Sequence, residues 1–185
     1  MRRKSFYLIA VLLVLAVSTF FKSAPNKGAS LYDKTIKAEY GRPIRVVKAV
    51  DGDTIVLVNG ETLRYIGLDT PEEVDPRKPI QCYAKEAADE NKKLVEGKDI
   101  VFYKDISEKD KYGRWLGYVY LTDGTFVNLE LVKEGFAFAY AYTPDTSKKE
   151  IFKEAESTAR LSGLGLWANC EVKKLSTGRE QTNSI

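Results

Sequence analysis

Five short segments with the pattern of β-strands, the first two rich in valine and isoleucine, limit the possible folds of this sequence more than any other feature. The segments are Ile44–Val50, Thr54–Val58, Glu61–Leu68, Asp99–Lys104 and Trp115–Leu121. Asp51-Gly52-Asp53 separates the first two, and Asn59-Gly60 separates the second from the third. Such residues favour tight turns between strands. The pattern therefore predicts a three-stranded meander followed by two further strands.

Three other segments have the spacing of amphipathic helices. They are Gln81–Val95, Val127–Glu134 and Lys148–Ser162, and glycines at 97, 135 and 163 follow them as helix stops. The first helix falls between the third and fourth strands, which is the element order of an OB-fold, a five-stranded barrel that binds nucleic acids or sugars on one face and its loops. We therefore predict an α+β fold dominated by β, with a five-stranded OB-fold barrel and about three helices.

The chain begins with a basic and then an apolar segment, a layout typical of exported proteins. An apolar run from about Phe6 to Phe21 follows three basic residues. Residues 1–22 are predicted to be a signal peptide or an N-terminal membrane anchor, and the length of the run leaves both open. Either one places the rest of the chain outside the cytoplasm, secreted or anchored to the membrane. We expect a polar linker over residues 23–42, a folded domain over 43–170 and a disordered polar tail over 171–185.

The net charge gives no bulk attraction to nucleic acid. The formal charge is +3, but five of the 29 basic residues precede residue 28: Arg2, Arg3, Lys4, Lys22 and Lys27. The remainder has 24 basic residues against 26 acidic ones. A nucleic-acid site would therefore have to be a local cluster of arginine and lysine.

The sequence contains no histidine, which excludes imidazole catalysis, histidine metal ligands and Ser-His triads. Carboxylates and arginines remain, and they occur in three clusters: Asp51–Thr54, Arg64–Glu73 and Asp110–Arg114. Each cluster alone is equally typical of a common turn, a helix start or a solvated loop.

Taken together, in this order and spacing, the clusters resemble the staphylococcal (micrococcal) nuclease, or thermonuclease, family from about Ile44 to Trp167. The resemblance implies a calcium-dependent nuclease that cuts DNA and RNA with little sequence specificity. It implies that the carboxylates of Asp53 and Asp69 and the main-chain carbonyl of Thr70 bind Ca²⁺, which prefers hard oxygen ligands.

The same resemblance implies roles for three further side chains. Arg64 and Arg114 match the two phosphate-binding arginines of the family, and Glu72 matches its base. Phosphodiester hydrolysis needs neutralisation of charge on the phosphoryl oxygens, which a divalent cation and two planar guanidinium groups can provide. Glu72 could deprotonate or orient the attacking water, with Glu73 beside it as a less suitable substitute.

Four residues match the substrate side of the family's site. Lys111 and Tyr112 resemble its substrate-side loop, and Tyr140 and Tyr142 resemble its pair of pocket tyrosines. Aromatic rings can stack on bases, although tyrosines at alternate positions can equally pack under the rim of the barrel.

The sequence contains two cysteines, Cys82 and Cys170. We expect them to form a disulfide, because two cysteines in an exported protein favour a disulfide over a metal site. Closing so long a loop would stabilise the fold by on the order of 4 kcal/mol.

Two other functions are compatible with the barrel. One is a non-catalytic OB-fold module that binds nucleic acid or a protein, and the other is a sugar-binding or cell-surface domain. Neither explains why two arginines and several carboxylates occur together at this spacing. The sequence implies DNA and RNA as partners and a possible membrane contact through the leader, and it implies no protein partner.

Overall fold

A computed structural model describes residues 32–73 and 79–185. These residues form nine strands: β1 (Ile44–Ala49), β2 (Thr54–Leu57), β3 (Thr62–Tyr65), β4 (Gly67–Asp69), β5 (Asp99–Tyr103), β6 (Trp115–Leu121), β7 (Phe138–Tyr140), β8 (Val172–Lys174) and β9 (Glu180–Thr182). They also form four helices: α1 (Ala84–Val95), α2 (Val127–Lys133), α3 (Lys149–Leu161) and α4 (Leu166–Asn169). The predicted leader and the first part of the predicted linker lie outside the described residues. Within the described ranges, no helix is long and apolar enough to cross a membrane.

Five strands close into a barrel in the order β1-β2-β3-β6-β5. All neighbours are antiparallel except β3 and β6, which run parallel. The alternation of apolar residues in the strands fills the interior, with fully buried side chains at Val46, Ile55, Leu63, Phe102 and Val119. Each such burial stabilises the fold by about 1.5–3 kcal/mol. The predicted OB-fold barrel is confirmed.

The third predicted strand, Glu61–Leu68, is wrong in one respect, because the structure divides it at Ile66 into β3 and β4. Gly67 has a φ of +87°, and a Cβ there would lie 2.3 Å from the ring of Phe152. Only glycine accepts this close approach in that backbone conformation. The chain therefore leaves the barrel at Gly67, and β4 pairs with β7 so that Asp69 lies opposite Phe138.

Helix α1 positions the turn between β1 and β2. Its buried face contains Ala84, Ala87 and Val95, and also Asn91, which is fully buried. The Asn91 side chain donates a hydrogen bond to the carbonyl of Asp51 at 2.7 Å and accepts one from the hydroxyl of Tyr65 at 2.8 Å. Because both the NH2 group and the oxygen of this buried side chain are hydrogen-bonded, Asn91 holds the turn against the barrel.

The packed part of the chain begins before residue 43. Ala38 is buried, and the ring of Tyr40 lies 5.1 Å from that of Phe102 and 5.3 Å from that of Trp115. The second half of the predicted linker therefore covers one end of the barrel core.

The C-terminal tail also differs from the expectation of disorder. Residues 172–182 form the hairpin of β8 and β9. Cys82 and Cys170 form a disulfide, as predicted. The amide of Cys82 donates to the carbonyl of Asn183 at 2.8 Å, and the hydroxyl of Thr182 donates to the carbonyl of Cys82 at 2.9 Å. A polar tail is ordered here because covalent and hydrogen-bonded contacts replace a hydrophobic core.

Candidate nuclease site

Arg64 joins two buried carboxylates at one edge of the barrel. Asp53 lies in the turn between β1 and β2 and Asp69 ends β4, and the two residues are 2% and 5% exposed. Pairing of β3 with β2 places Arg64 opposite Thr54. The two terminal nitrogens of Arg64 contact Asp53 Oδ1 at 2.7 Å and Asp69 Oδ1 at 3.0 Å. Residues distant in sequence thus form one charged cluster.

The turn holding Asp53 packs directly against the segment after β4. A Cβ on Gly52 would lie 2.7 Å from the Thr70 side chain, so only glycine allows this approach. The amide of Thr70 is 3.4 Å from Asp53 Oδ2, and the hydroxyl of Thr54 donates to Asp53 Oδ1 at 3.0 Å. This contact brings Asp53 close to the Thr70 main chain, next to Asp69.

The acidic side chains around Arg64 lie close together, and their negative charges shift the pKa values of the cluster. Burial and the neighbouring charge of Asp53 raise the pKa of Asp51 to about 7. Burial and Asp53 also raise the pKa of Asp69. Burial alone would lower the pKa of Arg64, but the surrounding carboxylates, led by Asp53 and Asp69, raise it. Asp51 was not among the predicted site residues, although its position two residues before Asp53 could have indicated that it lies near the site.

The donor set fits a hard divalent cation. Asp53 and Asp69 offer carboxylate oxygens, and Thr70 offers a carbonyl, which are the ligand types that Ca²⁺ prefers. A cation there would relieve the repulsion between the buried carboxylates. Among residues 32–73 and 79–185, no three Asp, Glu, His or Cys side chains converge as a metal cluster. Calcium would therefore need main-chain and water oxygens in addition to Asp53 and Asp69.

A cavity of about 500 Å³ opens beside this cluster. Its lining includes seven of the predicted site residues: Arg64, Asp69, Lys111, Tyr112, Arg114, Tyr140 and Tyr142. Among the described residues, five basic side chains line it but only three acidic ones. The size is within the range of ligand sites. The local basic cluster that the sequence analysis required is therefore present.

Arg114 is held by an acidic residue of its own loop. Its main-chain amide donates to Asp110 Oδ1 at 3.0 Å and its Nε donates to Asp110 Oδ2 at 2.7 Å. Its guanidinium carbon is 5.5 Å from the centre of the Tyr112 ring, and the ammonium of Lys111 is 5.0 Å from that centre. The loop between β5 and β6 thus presents an oriented guanidinium group to the cavity.

The tyrosines of the cavity differ in exposure. Tyr112 and Tyr142 are 72% and 71% exposed, so these two rings do not pack under the barrel rim. Tyr140 is half-buried in β7. The exposed rings are available as flat faces for a stacked base.

Glu72 lies beside the charged cluster but does not line the cavity. Its amide donates to the Gln81 side chain at 2.9 Å, and its carbonyl accepts from the Gln81 amide at 3.0 Å. The charge of Glu72 contributes to the raised pKa of Arg64. The structure thus places Glu72 within electrostatic reach of Arg64, and Gln81, which the sequence analysis did not single out, fixes its main chain.

Comparison with known proteins identifies the family. A family model described as "Staphylococcal nuclease homologue" matches residues 62–169. A thermonuclease of Staphylococcus hyicus is 35% identical over 164 residues, which cover 87% of this chain and 94% of that protein. The chain belongs to the staphylococcal nuclease family. An endonuclease of Bacillus subtilis, YncB, is 42% identical over 126 residues, covering 65% of this chain and 59% of YncB.

Within the staphylococcal nuclease match lie Arg64, Asp69, Glu72 and Arg114, whereas Asp53 precedes it. One further residue of the site follows the match: Arg179, in the turn of the β8–β9 hairpin. Its Nε donates to Asp69 Oδ2 at 2.7 Å. The sequence did not indicate a role for this residue, because a single arginine in a polar tail forms no recognisable pattern.

Proposed function

We propose that this chain is a calcium-dependent nuclease that hydrolyses phosphodiester bonds of DNA and RNA with little sequence specificity. The observation that carries the proposal is that Arg64, Asp69 and Arg114 line one basic cavity, while Asp53 contacts Arg64. Thermonuclease and endonuclease relatives over most of the family domain support the broader assignment. The chain is a phosphodiester hydrolase that acts on nucleic acid.

The two arginines bind the phosphate that is cleaved. Arg64 approaches from the floor of the cavity and Arg114 from the loop between β5 and β6. A planar guanidinium offers two parallel donors to two phosphoryl oxygens. Carboxylates already orient both groups, so little reorganisation is needed when negative charge develops in the transition state.

Glu72 orients the attacking water or accepts its proton. Gln81 holds the main chain of Glu72 at two points, which limits the positions its carboxylate can reach. Calcium, when bound by Asp53, Asp69 and the Thr70 carbonyl, would supply positive charge to the phosphoryl oxygens. The leaving group departs opposite the water, as in-line displacement requires.

Residues at the rim of the cavity bind the parts of the substrate on either side of the cleaved phosphate. Lys111 contributes charge to the sugar-phosphate backbone, and Tyr112 and Tyr142 offer exposed rings to bases. Tyr140 supports the cavity wall from β7. Because every base has a face that can stack, we expect little sequence preference.

The working compartment is outside the cytoplasm. A disulfide between Cys82 and Cys170 suits an oxidising environment, and the sequence begins with a basic and then apolar segment. We propose that the folded domain is exported, secreted or held at the membrane surface.

The test is cleavage of single-stranded DNA and RNA by the purified protein in calcium, in magnesium and in excess chelator. We expect cleavage of both nucleic acids in calcium, weak cleavage in magnesium and none in chelator. Undiminished cleavage in chelator would refute calcium dependence. Absence of cleavage under every condition, with a folded protein, would favour a binding module.

A further inference from the structure

The C-terminal hairpin adds a third arginine to the cavity. Both Nε and a terminal nitrogen of Arg179 contact Asp69 Oδ2. Its guanidinium carbon lies 5.7 Å from the centre of the Tyr140 ring, and Arg179 lines the cavity. This residue lies beyond the segment that the family model matches, 62–169.

The hairpin is fixed to the domain at several points, so Arg179 is not on a loose tail. The disulfide anchors its start at Cys170. Arg160 of α3 contacts the Glu180 carboxylate at 2.6 Å, and the amide of Leu175 closes the turn by donating to the carbonyl of Arg179 at 2.8 Å. A side chain held in this way can contribute to binding without a large ordering cost.

The ion pair with Asp69 does not by itself explain why the Arg179 side chain faces the cavity. Asp69 already receives Arg64 on its other oxygen, at 3.0 Å. The Arg179 side chain is 43% exposed and faces the cavity, whereas the Asp69 side chain is 7% exposed. Arg64 and Arg179 thus contact opposite oxygens of one carboxylate, and both line the cavity.

We infer that Arg179 binds a phosphate next to the one that is cleaved, and so favours substrates with more than one phosphodiester group. This inference rests on the proposed function. It assigns Arg64 and Arg114 to the reacting phosphate and Arg179 to its neighbour. An arginine suits the role because it has five N–H donors and a permanent charge, so the N–H groups that Asp69 does not take would contact the phosphate.

The experiment compares two substrates with the full chain and its Arg179→Gln variant. One substrate is a single-stranded oligonucleotide and the other is a nitrophenyl nucleotide with a single phosphodiester bond. Glutamine removes the charge but keeps a hydrogen-bond donor for Asp69. Loss of a charge-assisted contact should raise KM for the oligonucleotide about tenfold or more. For the small substrate, kcat/KM should change by less than about threefold, because it lacks the neighbouring phosphate.

Two further variants serve as controls. Arg42→Gln removes the same charge from an exposed side chain that does not line the cavity, and it should change neither substrate's kinetics. Arg179→Lys keeps the charge but loses the fork, so its KM should lie between those of the parent and the glutamine variant. Equal losses on both substrates would mean that Arg179 only orients Asp69, and the inference would fail. No change, or faster cleavage of both substrates with a lower calcium requirement, would also overturn it.

Binding provides a readout apart from turnover. Fluorescence anisotropy of the oligonucleotide in calcium-free buffer should show weaker binding to the Arg179→Gln protein. The salt dependence should be shallower by about 0.7, the value for one phosphate contact on a single strand. If the parent cleaves neither substrate, the proposed function fails, and the anisotropy measurement alone then tests whether Arg179 binds a phosphate. An unchanged affinity and slope would then reject it.

Discussion

At the scale of single residues, the effect of replacing a charged side chain depends on how many buried charges it neutralises. Arg64 contacts two carboxylates whose side chains are only 3% and 7% exposed. Removing Arg64 would leave both of them buried without this partner, which typically costs 3–5 kcal/mol. A loss of activity in such a variant would be confounded with unfolding. Arg114 contacts a single carboxylate, Asp110, in a surface loop, so it allows a cleaner test of phosphate binding.

We expect Arg114→Lys to lower kcat by about 10²–10³ with little change in fold. Lysine keeps the charge but not the planar fork, and loss of one preorganised donor typically has this effect. Steady-state cleavage of DNA in calcium measures the change, and circular dichroism checks the fold. Arg42→Lys is the matched control at an exposed position. Cleavage by Arg114→Lys at nearly the parental rate would show that Arg114 is only a surface charge.

At the scale of elements, the sequence predicted the five barrel strands and the three longer helices, but not β7, α4 or the β8–β9 hairpin. The turn at Asp51-Gly52-Asp53 and the apolar alternation of the strands are local signals, so both were readable. The division between β3 and β4 depends on Phe152, which packs against Gly67 from a helix far along the chain. The order of the C-terminal hairpin and the position of Arg179 depend on a disulfide and on hydrogen bonds across the domain. No local pattern carries such information.

A pair of glycine substitutions tests the junction between β3 and β4. Gly67 and Gly124 both have positive φ, +87° and +92°, but a Cβ meets the Phe152 ring only at Gly67; none of the described atoms lies within 4 Å at Gly124. Gly124→Ala should therefore cost only the backbone strain, about 1–2 kcal/mol. Gly67→Ala should cost a further 1–3 kcal/mol for overpacking. Urea unfolding gives both values, and equal losses would show that the contact with Phe152 does not limit this position.

At the scale of the whole molecule, the charge of the domain and the charge of the cavity have opposite signs. Acidic residues outnumber basic ones by 26 to 24 beyond residue 27, whereas the described residues that line the cavity include five basic and three acidic ones. Attraction of a polyanion is therefore short-ranged, because charges beyond about 8–10 Å are screened at physiological salt. Binding must come from contacts in the cavity rather than from the overall field.

The disulfide joins the start of α1 to the C-terminal hairpin, so its effect is on the stability of the whole domain. The two cysteines are 88 residues apart, and the chain-entropy model gives about 4–5 kcal/mol for a loop of that length. The Cys82→Ser/Cys170→Ser double variant should lose up to this free energy of unfolding and still cleave DNA when folded. The parent unfolded in reductant is the control and should match the variant. Equal stability of the oxidised and reduced parent would contradict the prediction.

The calcium ion that we propose at Asp53 and Asp69 should stabilise the fold as well as support cleavage, because a cation there would relieve repulsion between buried carboxylates only in the folded state. At a calcium concentration of about 100 times Kd, the gain is about 2.7 kcal/mol. For a chain of this size, that corresponds to a rise in Tm of roughly 5–10 °C. Magnesium should give a smaller rise, because it requires a tighter octahedral geometry than two carboxylates and a carbonyl provide. Differential scanning calorimetry with and without each cation measures the shift. Asp53→Asn should abolish the shift, while Asp123→Asn, in an exposed turn, should retain it. A calcium shift that survives Asp53→Asn would place the cation elsewhere on the molecule.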